Sequence, residues 1–348
     1  MPKVANIVGA RPQFIKAGPV SRALREAGVE ELLVNTGQHY EPLMSDEIMR
    51  DIRLRDPDIN LGVGSGSHAD QTAAVLIGVE EVLKTQSVDA VVVYGDTNTT
   101  LGAALASVKM GAFTAHVEAG LRSFNRTMPE EINRVITDRV CDALYAPTET
   151  AMANLVQEGL EDHAELTGDV MVDALKGIDF DRIELPIWAV GEFCIATIHR
   201  PANTDDANRL KAIIDGLGQI EMPTHILLHP RLRDRLAQFG IGFSRPRLSV
   251  RAPLSYAQML AVLRASRALV TDSGGLQKEA YLLGVPCVTL RDETEWPETL
   301  EGGRNVLSAP EDDLNSLVRR HVSVQDLEPF GGGNAAVQIV DHLAKHIG

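Results

Sequence analysis

The sequence predicts an α/β protein of two domains, each built around a parallel sheet. Short apolar runs alternate with amphipathic stretches along the chain, which is the pattern of repeated βα units. The pattern restarts after a less regular central segment, and 348 residues exceed the usual size of a single hydrophobic core. We therefore expect two similar-sized domains with a cleft between them.

Ten apolar runs are predicted to be strands, five in each half of the chain, and those of the first half are each followed by a plausible helix. The runs are KVANIVG (3–9), EELLVNTG (30–37), DAVVVYGD (89–96), FTAHVE (113–118), DALYAP (142–147), EFCIATIHR (192–200), THILLHP (224–230), RLSVRAP (247–253), RALVTDS (267–273) and PCVTLRD (286–292). The segment at 168–188 mixes Gly, Pro and charge and is the best candidate for a linker. We expect domains at 1–168 and 169–333, and a last amphipathic helix from Ala335 to His346.

Composition excludes several classes of partner. A net charge of -15 opposes delocalised binding to nucleic acid or to an anionic membrane surface, so an anionic ligand would need a local basic pocket. No apolar run approaches the roughly 20 residues that span a bilayer, and the N-terminal segment does not resemble a signal peptide. We expect a cytoplasmic protein. Its three cysteines are far apart in apolar segments and are predicted to be reduced core residues.

Polar residues close most of the predicted strands, and in open parallel sheets ligands bind at this edge. These residues are Arg11, Asp96, His116, Glu118, His199, Arg200, His229, Asp272 and Ser273. Any one of them taken alone is better explained as a helix cap or a satisfied buried polar group. Together they predict that one rim of each sheet is functional.

Two strand-to-helix turns are candidate phosphate sites. In TDSGGLQKEA (271–280), Gly274 and Gly275 allow close approach to the N-terminus of a helix, where unpaired N–H groups suit an anion. An ordinary N-cap by Asp272 or Ser273 is the alternative, and Glu279 could reach a ribose hydroxyl pair. In GARPQFIK (9–16), Arg11 and Lys16 could serve a diphosphate, although simple solvation would also explain Lys16.

The motifs of several other chemistries are absent from the sequence. It contains no GxGxxG between a strand and a helix, no Walker A loop, no HExxH, no GxSxG and no paired CxxC. We therefore expect no bound NAD or other cofactor, no metal site and no nucleophilic serine.

Eight motifs, in order between about residues 3 and 309, resemble those of the non-hydrolysing UDP-N-acetylglucosamine 2-epimerases. They are GARPQFIKA, TGQHY, VYGDTNTTL, HVEAGLRSFNRTMPEEINR, TIHRPANTDD, LHPR, TDSGGLQKEA and LRDETEWPE. The resemblance implies the glycosyltransferase B fold, with two Rossmann-like domains, an active site in the cleft, and the nucleotide held mainly by the second domain. It also implies that residues 334–348 cross back onto the first domain, and that UDP-N-acetylglucosamine and UDP-N-acetylmannosamine are interconverted.

This chemistry needs acid/base groups and a diphosphate clamp. A sugar C2 hydrogen has no adjacent carbonyl to acidify it, and without a nicotinamide no transient ketone forms, so elimination of UDP to a 2-acetamidoglycal and its re-addition is the remaining route. Asp96, Glu118 and Glu130 can carry protons. Arg11, Lys16, Arg134 and the Ser273–Gly275 turn can stabilise the leaving diphosphate.

The resemblance also assigns individual positions. Asp96, Glu118, Glu130 and His199 match the family's catalytic residues, and its nucleotide contacts match Arg11, His229, Ser273, Gly274, Gly275 and Glu279. Clustered carboxylates repel one another, so at least one should titrate well above its usual value of about 4. Which of them is the base and which the acid stays open.

Three departures bear on the substrate and on regulation. Trp296 stands where many members have arginine, and Pro201–Ala202 stand where an acidic residue commonly precedes Asn203. TGQHYEPLMS (36–45) lacks the QHxEML pattern of substrate-activated members, which indicates an unregulated enzyme. Several motifs are closer to the subgroup that includes epimerases of UDP-2,3-diacetamido-glucuronate. The sugar is therefore either the N-acetylhexosamine or this related uronate.

Other functions share parts of this pattern. A glycosyltransferase would share the fold and the diphosphate site, a hydrolysing epimerase would release UDP and free N-acetylmannosamine, and a non-catalytic binding protein would need no acid/base set. The UDP-sugar is the expected small-molecule partner, and the protein is expected to be a homodimer.

Two adjacent glutamates in PEEINR compete for the catalytic role. The predicted helix from Pro129 to about Cys141 places Ile132, Val135, Ile136 and Val140 on one apolar side, with Glu130 and Arg134 roughly opposite. We expect Glu130 to carry a proton, and Glu131, toward the border of the apolar side, mainly to favour the helix N-terminus.

Overall fold

A computed structural model describes residues 2–38, 49–322 and 328–347 of the chain. It divides into two compact units, Met1–Ile178 with Glu328–Gly348, and Asp179–Leu327. Each unit has its own parallel sheet with helices packed against it.

The first unit contains a parallel sheet of seven strands in the order β3-β2-β1-β4-β5-β6-β7. Its strands are β1 (Lys3–Val8), β2 (Glu30–Asn35), β3 (Ile59–Asn60), β4 (Ala90–Tyr94), β5 (Phe113–Val117), β6 (Ala143–Ala146) and β7 (Ala164–Leu166). Its helices are α1 (Arg11–Glu26), α2 (His68–Thr85), α3 (Asn98–Lys109), α4 (Pro129–Val140), α5 (Glu149–Gln157) and α6 (Val170–Lys176), with a 3₁₀ turn at Glu161–His163. All five residues of β4 are buried, as expected for a central strand covered on both faces.

The second unit contains a parallel sheet of six strands in the order β10-β9-β8-β11-β12-β13. Its strands are β8 (Cys194–Thr197), β9 (Thr224–Leu227), β10 (Leu248–Arg251), β11 (Ala268–Thr271), β12 (Cys287–Thr289) and β13 (Asn305–Leu307). Its helices are α7 (Pro201–Thr204), α8 (Ala207–Gln219), α9 (Pro230–Phe239), α10 (Tyr256–Ala265), α11 (Gly274–Leu282) and α12 (Leu314–Arg319), with 3₁₀ segments at Phe180–Arg182 and Pro297–Gly303. This strand order is that of a Rossmann fold.

The chain returns to the first unit at its C-terminal end, where α13 spans Ala335–Ala344. The amide groups of Ala335 and Ala336 donate to the carboxylate of Asp173 in α6, at 3.2 and 3.1 Å. The Tyr145 hydroxyl lies 3.1 Å from Nδ1 of His342. The division between the units falls after Ile178 rather than after residue 168, because α6 packs on α1 and α13 and so belongs with the first unit.

The predicted α/β fold class is confirmed, and each of the ten predicted strands is present. Three short strands, β3, β7 and β13, were not predicted, and each contains only two or three residues. The three cysteines are buried and unpaired.

Helix α4 packs with a polar side against the rest of the first unit. It begins at Pro129 and ends near Cys141 as expected, but its buried side is polar, and the residues that it buries are Glu131, Asn133, Arg134, Thr137 and Asp138. Ile132 and Ile136 are 43% and 36% exposed. The physical reason is that α4 covers the polar ends of β4 and β5 rather than the apolar middle of the sheet.

Candidate functional site

In each unit, the candidate residues gather where the strand order reverses, the point at which open α/β sheets bind ligands. In the first unit this point lies between β1 and β4, which Arg11 and Asp96 follow. In the second it lies between β8 and β11, which His199 and Asp272 follow.

Asp96 is held from two directions by α4. Its side chain accepts from Nη2 of Arg134 at 2.6 Å, and its backbone carbonyl accepts from Nδ2 of Asn133 at 2.8 Å. Burial raises the pKa of Asp96 above its ordinary value; the charges of Arg134 and Lys16 oppose the rise, and those of Glu118 and Glu130 add to it. This is the direction expected for clustered carboxylates.

Glu118 follows β5 and is buried against Lys16. Its φ of 73° places it in the left-handed region, which is uncommon for a residue other than glycine and is typical of functional sites. The Lys16 ammonium is paired with Oε1 of Glu118, and both side chains are more than nine-tenths buried. Simple solvation of Lys16 is therefore excluded. A carboxylate and an ammonium lie together beside Gly95, the residue that precedes Asp96.

The two adjacent glutamates of α4 have opposite environments. Glu130 is exposed. Glu131 is 3% exposed and accepts from the amides of Ser123 and Phe124, the Ser123 hydroxyl and Nη1 of Arg134, at 2.8 to 3.0 Å. Glu131 lies in the first turn of α4, as expected, and it also fixes the loop between β5 and α4.

In the second unit, His199 is oriented by a buried aspartate. Asp272 accepts from Nδ1 of His199 at 3.0 Å, from the amides of His199 and Arg200, and from the Asn203 side chain at 3.1 Å. Burial opposes ionisation of Asp272, but these donors outweigh it and hold the pKa of the carboxyl below its usual range. The His199 ring is 37% exposed and lies 5.2 Å from the ring of His229, which caps α9.

The glycine turn at the start of α11 leaves one side open. Ser273 is the N-cap and accepts from the amide of Leu276, so the cap belongs to Ser273 rather than to Asp272. A Cβ on Gly274 would come within 2.2 Å of Oε1 of Glu295, whereas a Cβ on Gly275 would meet no protein atom within 4 Å. Gly275 is exposed, while Glu279 in the next turn is 6% exposed.

Some residues of the site were not predicted from the sequence. Asn133 has no motif signal of its own, and its role follows only from the inverted packing of α4. Trp296 is buried, and the Lys278 ammonium lies 3.7 Å from the centre of its ring. The tryptophan that stands in place of arginine therefore makes a cation–π contact with this lysine. Pro201 begins the short helix α7. Most of TGQHYEPLMS, and with it the prediction about substrate activation, lies outside the described residues.

Among residues 2–38, 49–322 and 328–347, no helix combines the length and the apolar character needed to cross a membrane. The same ranges contain no group of three or more His, Cys, Asp or Glu side chains placed to hold a metal ion.

Comparison with known proteins identifies the family. The model of the UDP-N-acetylglucosamine 2-epimerase family matches residues 22–344. The chain is 42% identical to the UDP-2,3-diacetamido-2,3-dideoxy-D-glucuronate 2-epimerase of Pseudomonas aeruginosa, over 99% of both chains. It is also 42% identical to a UDP-N-acetylglucosamine 2-epimerase homolog of Methanococcus maripaludis, over 98% of this chain and 99% of the other.

A solved structure gives the same answer. The crystal structure of Methanocaldococcus jannaschii UDP-GlcNAc 2-epimerase in complex with UDP-GlcNAc and UDP matches with a TM-score of 0.90 at 38% identity, over 99% of both chains. With the two parallel sheets, this likeness confirms the glycosyltransferase B fold. The chain belongs to the UDP-N-acetylglucosamine 2-epimerase family.

Proposed function

We propose that this protein interconverts the C2 epimers of a UDP-2-acetamido sugar without hydrolysing it. The substrate is UDP-N-acetylglucosamine or the related UDP-2,3-diacetamido-glucuronate, since relatives of both kinds are similar to this chain over nearly its whole length. The observation that carries the proposal is the convergence of Asp96 and Glu118, each beside a cation, at the strand ends of the first unit.

The proposed reaction is an elimination followed by re-addition. A carboxylate removes the C2 proton, the C2–H electron pair becomes the C1–C2 double bond, and the C1–O pair leaves with UDP. UDP then attacks C1 of the glycal, and a carboxylic acid delivers a proton to the opposite face of C2. Asp96, Glu118 and Glu130 are the proposed proton carriers.

Charge on the leaving diphosphate requires nearby cations. Lys16 and Arg134 already pair with Glu118 and Asp96, so each can stabilise the ionised carboxylate and share its charge with a developing phosphate. Arg11, at the start of α1, is the third proposed contact of the first unit.

The second unit supplies the proposed nucleotide site. The N-terminus of α11, opened by Gly275, suits a phosphate, and Glu279 suits the ribose. Because Nδ1 of His199 donates to Asp272, its Nε2 is the nitrogen available to act near the glycosidic oxygen, and His229 lies beside it.

The test is incubation of the purified protein with each candidate UDP-sugar in deuterium oxide, with C2 followed by NMR. Deuterium should enter C2 of both epimers with no added NAD or metal. Epimer formation with complete retention of the original hydrogen would contradict proton abstraction.

Product analysis tests the alternatives. Chromatography should show UDP-linked epimers with only traces of free UDP and glycal. Stoichiometric release of UDP with a free sugar would identify a hydrolysing enzyme, and transfer of the sugar to an added acceptor would identify a glycosyltransferase.

We also propose that the protein is a homodimer. Because α4 buries its polar side, the adjacent Ile132 and Ile136 are left partly exposed, and Phe124 in the preceding loop is 75% exposed. A second copy is the occupant that we propose for this surface. Ile132→Ser with Ile136→Ser should yield monomers in analytical ultracentrifugation. Ile77→Ser, at a 60% exposed position of α2, should leave the dimer intact, and a monomeric wild type would refute the proposal.

A further inference from the structure

A buried histidine lies next to the turn that precedes Asp96 in the first unit. His116 lies in β5, one residue before its end, and neither its ring nor the side chain of Asp138 in α4 has any exposed surface. Nδ1 of His116 lies 2.7 Å from Oδ1 of Asp138, and Nε2 lies 2.7 Å from the carbonyl oxygen of Gly95. Since neither ring nitrogen reaches solvent, His116 cannot act on a substrate directly.

Both ring nitrogens of His116 face acceptors. The Gly95 carbonyl can only accept, so Nε2 carries a hydrogen. The other oxygen of Asp138 accepts from the Gly120 amide at 3.1 Å and from Arg122 at 2.8 Å, which is the environment of an ionised carboxylate. Burial opposes that ionisation, but His116 and Arg122 hold the pKa of Asp138 below its usual range. An ionised Asp138 requires a hydrogen on Nδ1 as well.

The charges around His116 balance when both its nitrogens are protonated. Arg122 is bound through Nε and Nη2 to the Glu158 carboxylate, at 2.7 and 2.9 Å. The charges of the four linked side chains then alternate in sign and sum to zero, in the order Glu158, Arg122, Asp138 and His116. Glu158 is the partly exposed end of this network, with 25% of its side chain accessible, whereas Arg122, Asp138 and His116 are buried.

The histidine contacts the residue that links the two carboxylates. Gly95 precedes Asp96 and has a φ of 62°. Its amide donates to the carbonyl of Val117, the residue before Glu118, at 3.0 Å. The peptide groups leading into Asp96 and Glu118 are therefore both tied to Gly95, and His116 fixes Gly95 from the other side.

We infer that His116 is a positioning residue whose two ring nitrogens both donate, and that it sets the placement of Asp96 and Glu118 through the Gly95 carbonyl. The expected effect on kcat rests on the proposed function. The hydrogen bonds of His116 can be measured without any enzymatic activity.

A matched pair of variants separates positioning from general stability. The amide of His116→Gln can reach the place of Nε2 and keep the bond to Gly95, whereas that of His116→Asn reaches the place of Nδ1 and keeps the bond to Asp138. Each loses one buried hydrogen bond. We expect kcat of the Asn variant to fall below that of the Gln variant by roughly tenfold or more. KM and UDP affinity should stay within about twofold, since the nucleotide contacts are unchanged. Equal losses, or a larger loss in the Gln variant, would overturn the inference.

NMR supplies readouts that do not need turnover. In wild type labelled with ¹⁵N-histidine, we expect both ring nitrogens of His116 to be protonated. Their signals are assigned by their absence from the Gln variant or from another His116 substitution. One unprotonated nitrogen would overturn the inference even if neither variant folded. The amide shift of Asp96, which reports on the Gly95 carbonyl, should move in the Asn variant and little in the Gln variant. If the wild-type protein epimerises no UDP-sugar, the proposed function is refuted. The NMR signals of the Asp96 amide and of the His116 ring nitrogens would still decide the role of His116.

Discussion

The surroundings of Asp96 favour the protonated form of its carboxyl over the charged form. Its pKa is raised, so the folded protein binds this proton more tightly than the unfolded chain does. Stability that comes from this carboxyl is present at low pH and is lost as pH rises through the folded-state pKa. A charged Asp96 at neutral pH therefore destabilises the fold, as is common where a site is built for chemistry.

Asp96→Asn should separate stability from activity. Asp96 is partly buried and its surroundings disfavour the charged form, so with the neutral amide the midpoint of thermal unfolding at pH 7 should be equal to or above that of wild type. Turnover should fall roughly a hundredfold or more if Asp96 carries a proton. Calorimetry and the C2 exchange assay measure the two effects, and a clear loss of stability at pH 7 would contradict the burial argument.

Glu130 and Glu131 should differ in kind. Glu130 is exposed, so Glu130→Gln should leave the fold intact and lower turnover roughly a hundredfold or more. Glu131→Gln should cost about 1–3 kcal/mol of unfolding free energy, since it weakens charge-assisted hydrogen bonds to Ser123, Phe124 and Arg134. The reverse ranking for turnover would show that Glu131 is the proton carrier.

The cost of Glu131→Gln should depend on pH. Burial opposes ionisation of Glu131, but the Ser123, Phe124 and Arg134 donors outweigh it and lower its pKa. Its stabilising effect is therefore complete above the unfolded value of about 4.3 and is lost as pH falls through the lower folded-state pKa. Urea unfolding at pH 7 and at progressively acidic pH should show the gap between wild type and variant narrowing, and a constant gap would contradict this account.

At the scale of single elements, the two glycines that begin α11 make different predictions. Gly274→Ala should destabilise the second unit, because its Cβ would meet Glu295 at 2.2 Å. Gly275→Ala should leave stability unchanged or raise it by up to about 1 kcal/mol, since alanine favours a helix and the space is open.

Binding then distinguishes a phosphate site from an ordinary helix cap. If a phosphate of UDP approaches the N-terminus of α11, the methyl group of Gly275→Ala should weaken UDP binding about tenfold or more. Isothermal titration calorimetry on wild type and variant measures this. Unchanged UDP affinity would mean that the turn only caps the helix.

The ten predicted strands could be recognised because they are distinct apolar runs of three to six residues, and the missed strands show where this signal ends. The run at β4 is buried throughout, so its sequence is apolar throughout. β3 and β7 are edge strands of two and three residues, with exposed positions, and so have no such run. Pairing with a neighbour, rather than composition, defines them.

Helix α4 shows why the candidate site was only partly predictable. Its length and its start at Pro129 follow from local propensity, but the side that it buries depends on what lies beneath it. Beneath it are Asp96, His116 and the Gly95 turn, so the polar side faces inward. Periodicity identifies two sides of a helix and favours burial of the apolar one, and polar strand ends reverse that preference. The family motifs named the carboxylates, while Asn133, which binds the Asp96 carbonyl, and Asp138, which contacts His116, came from the structure.

At the scale of the whole molecule, the first unit is assembled from both ends of the described chain. Helix α13 buries Ile339, Val340 and Leu343 within it. Ile339→Ala should therefore destabilise this unit by about 2–5 kcal/mol, because it removes a fully buried side chain. Val337→Ala, at a 49% exposed position of the same helix, should change stability by no more than about 0.5 kcal/mol.

Hydrogen exchange should locate the effect of Ile339→Ala. Amides of β1 and α1 should exchange faster in this variant, while those of β8 and β11 should be unaffected. Faster exchange throughout residues 179–327 would mean that the two units unfold as one.

The same division sets an order of events on the ribosome. Asp179–Leu327 is continuous, so its sheet can be completed as soon as residue 327 has left the exit tunnel. The first unit is translated earlier but lacks α13 until the segment from residue 328 onward has been made. During that interval, the apolar surface that Ile339 and Leu343 later cover is open to solvent and to chaperones. The part of the protein that is made first is therefore the last to finish folding.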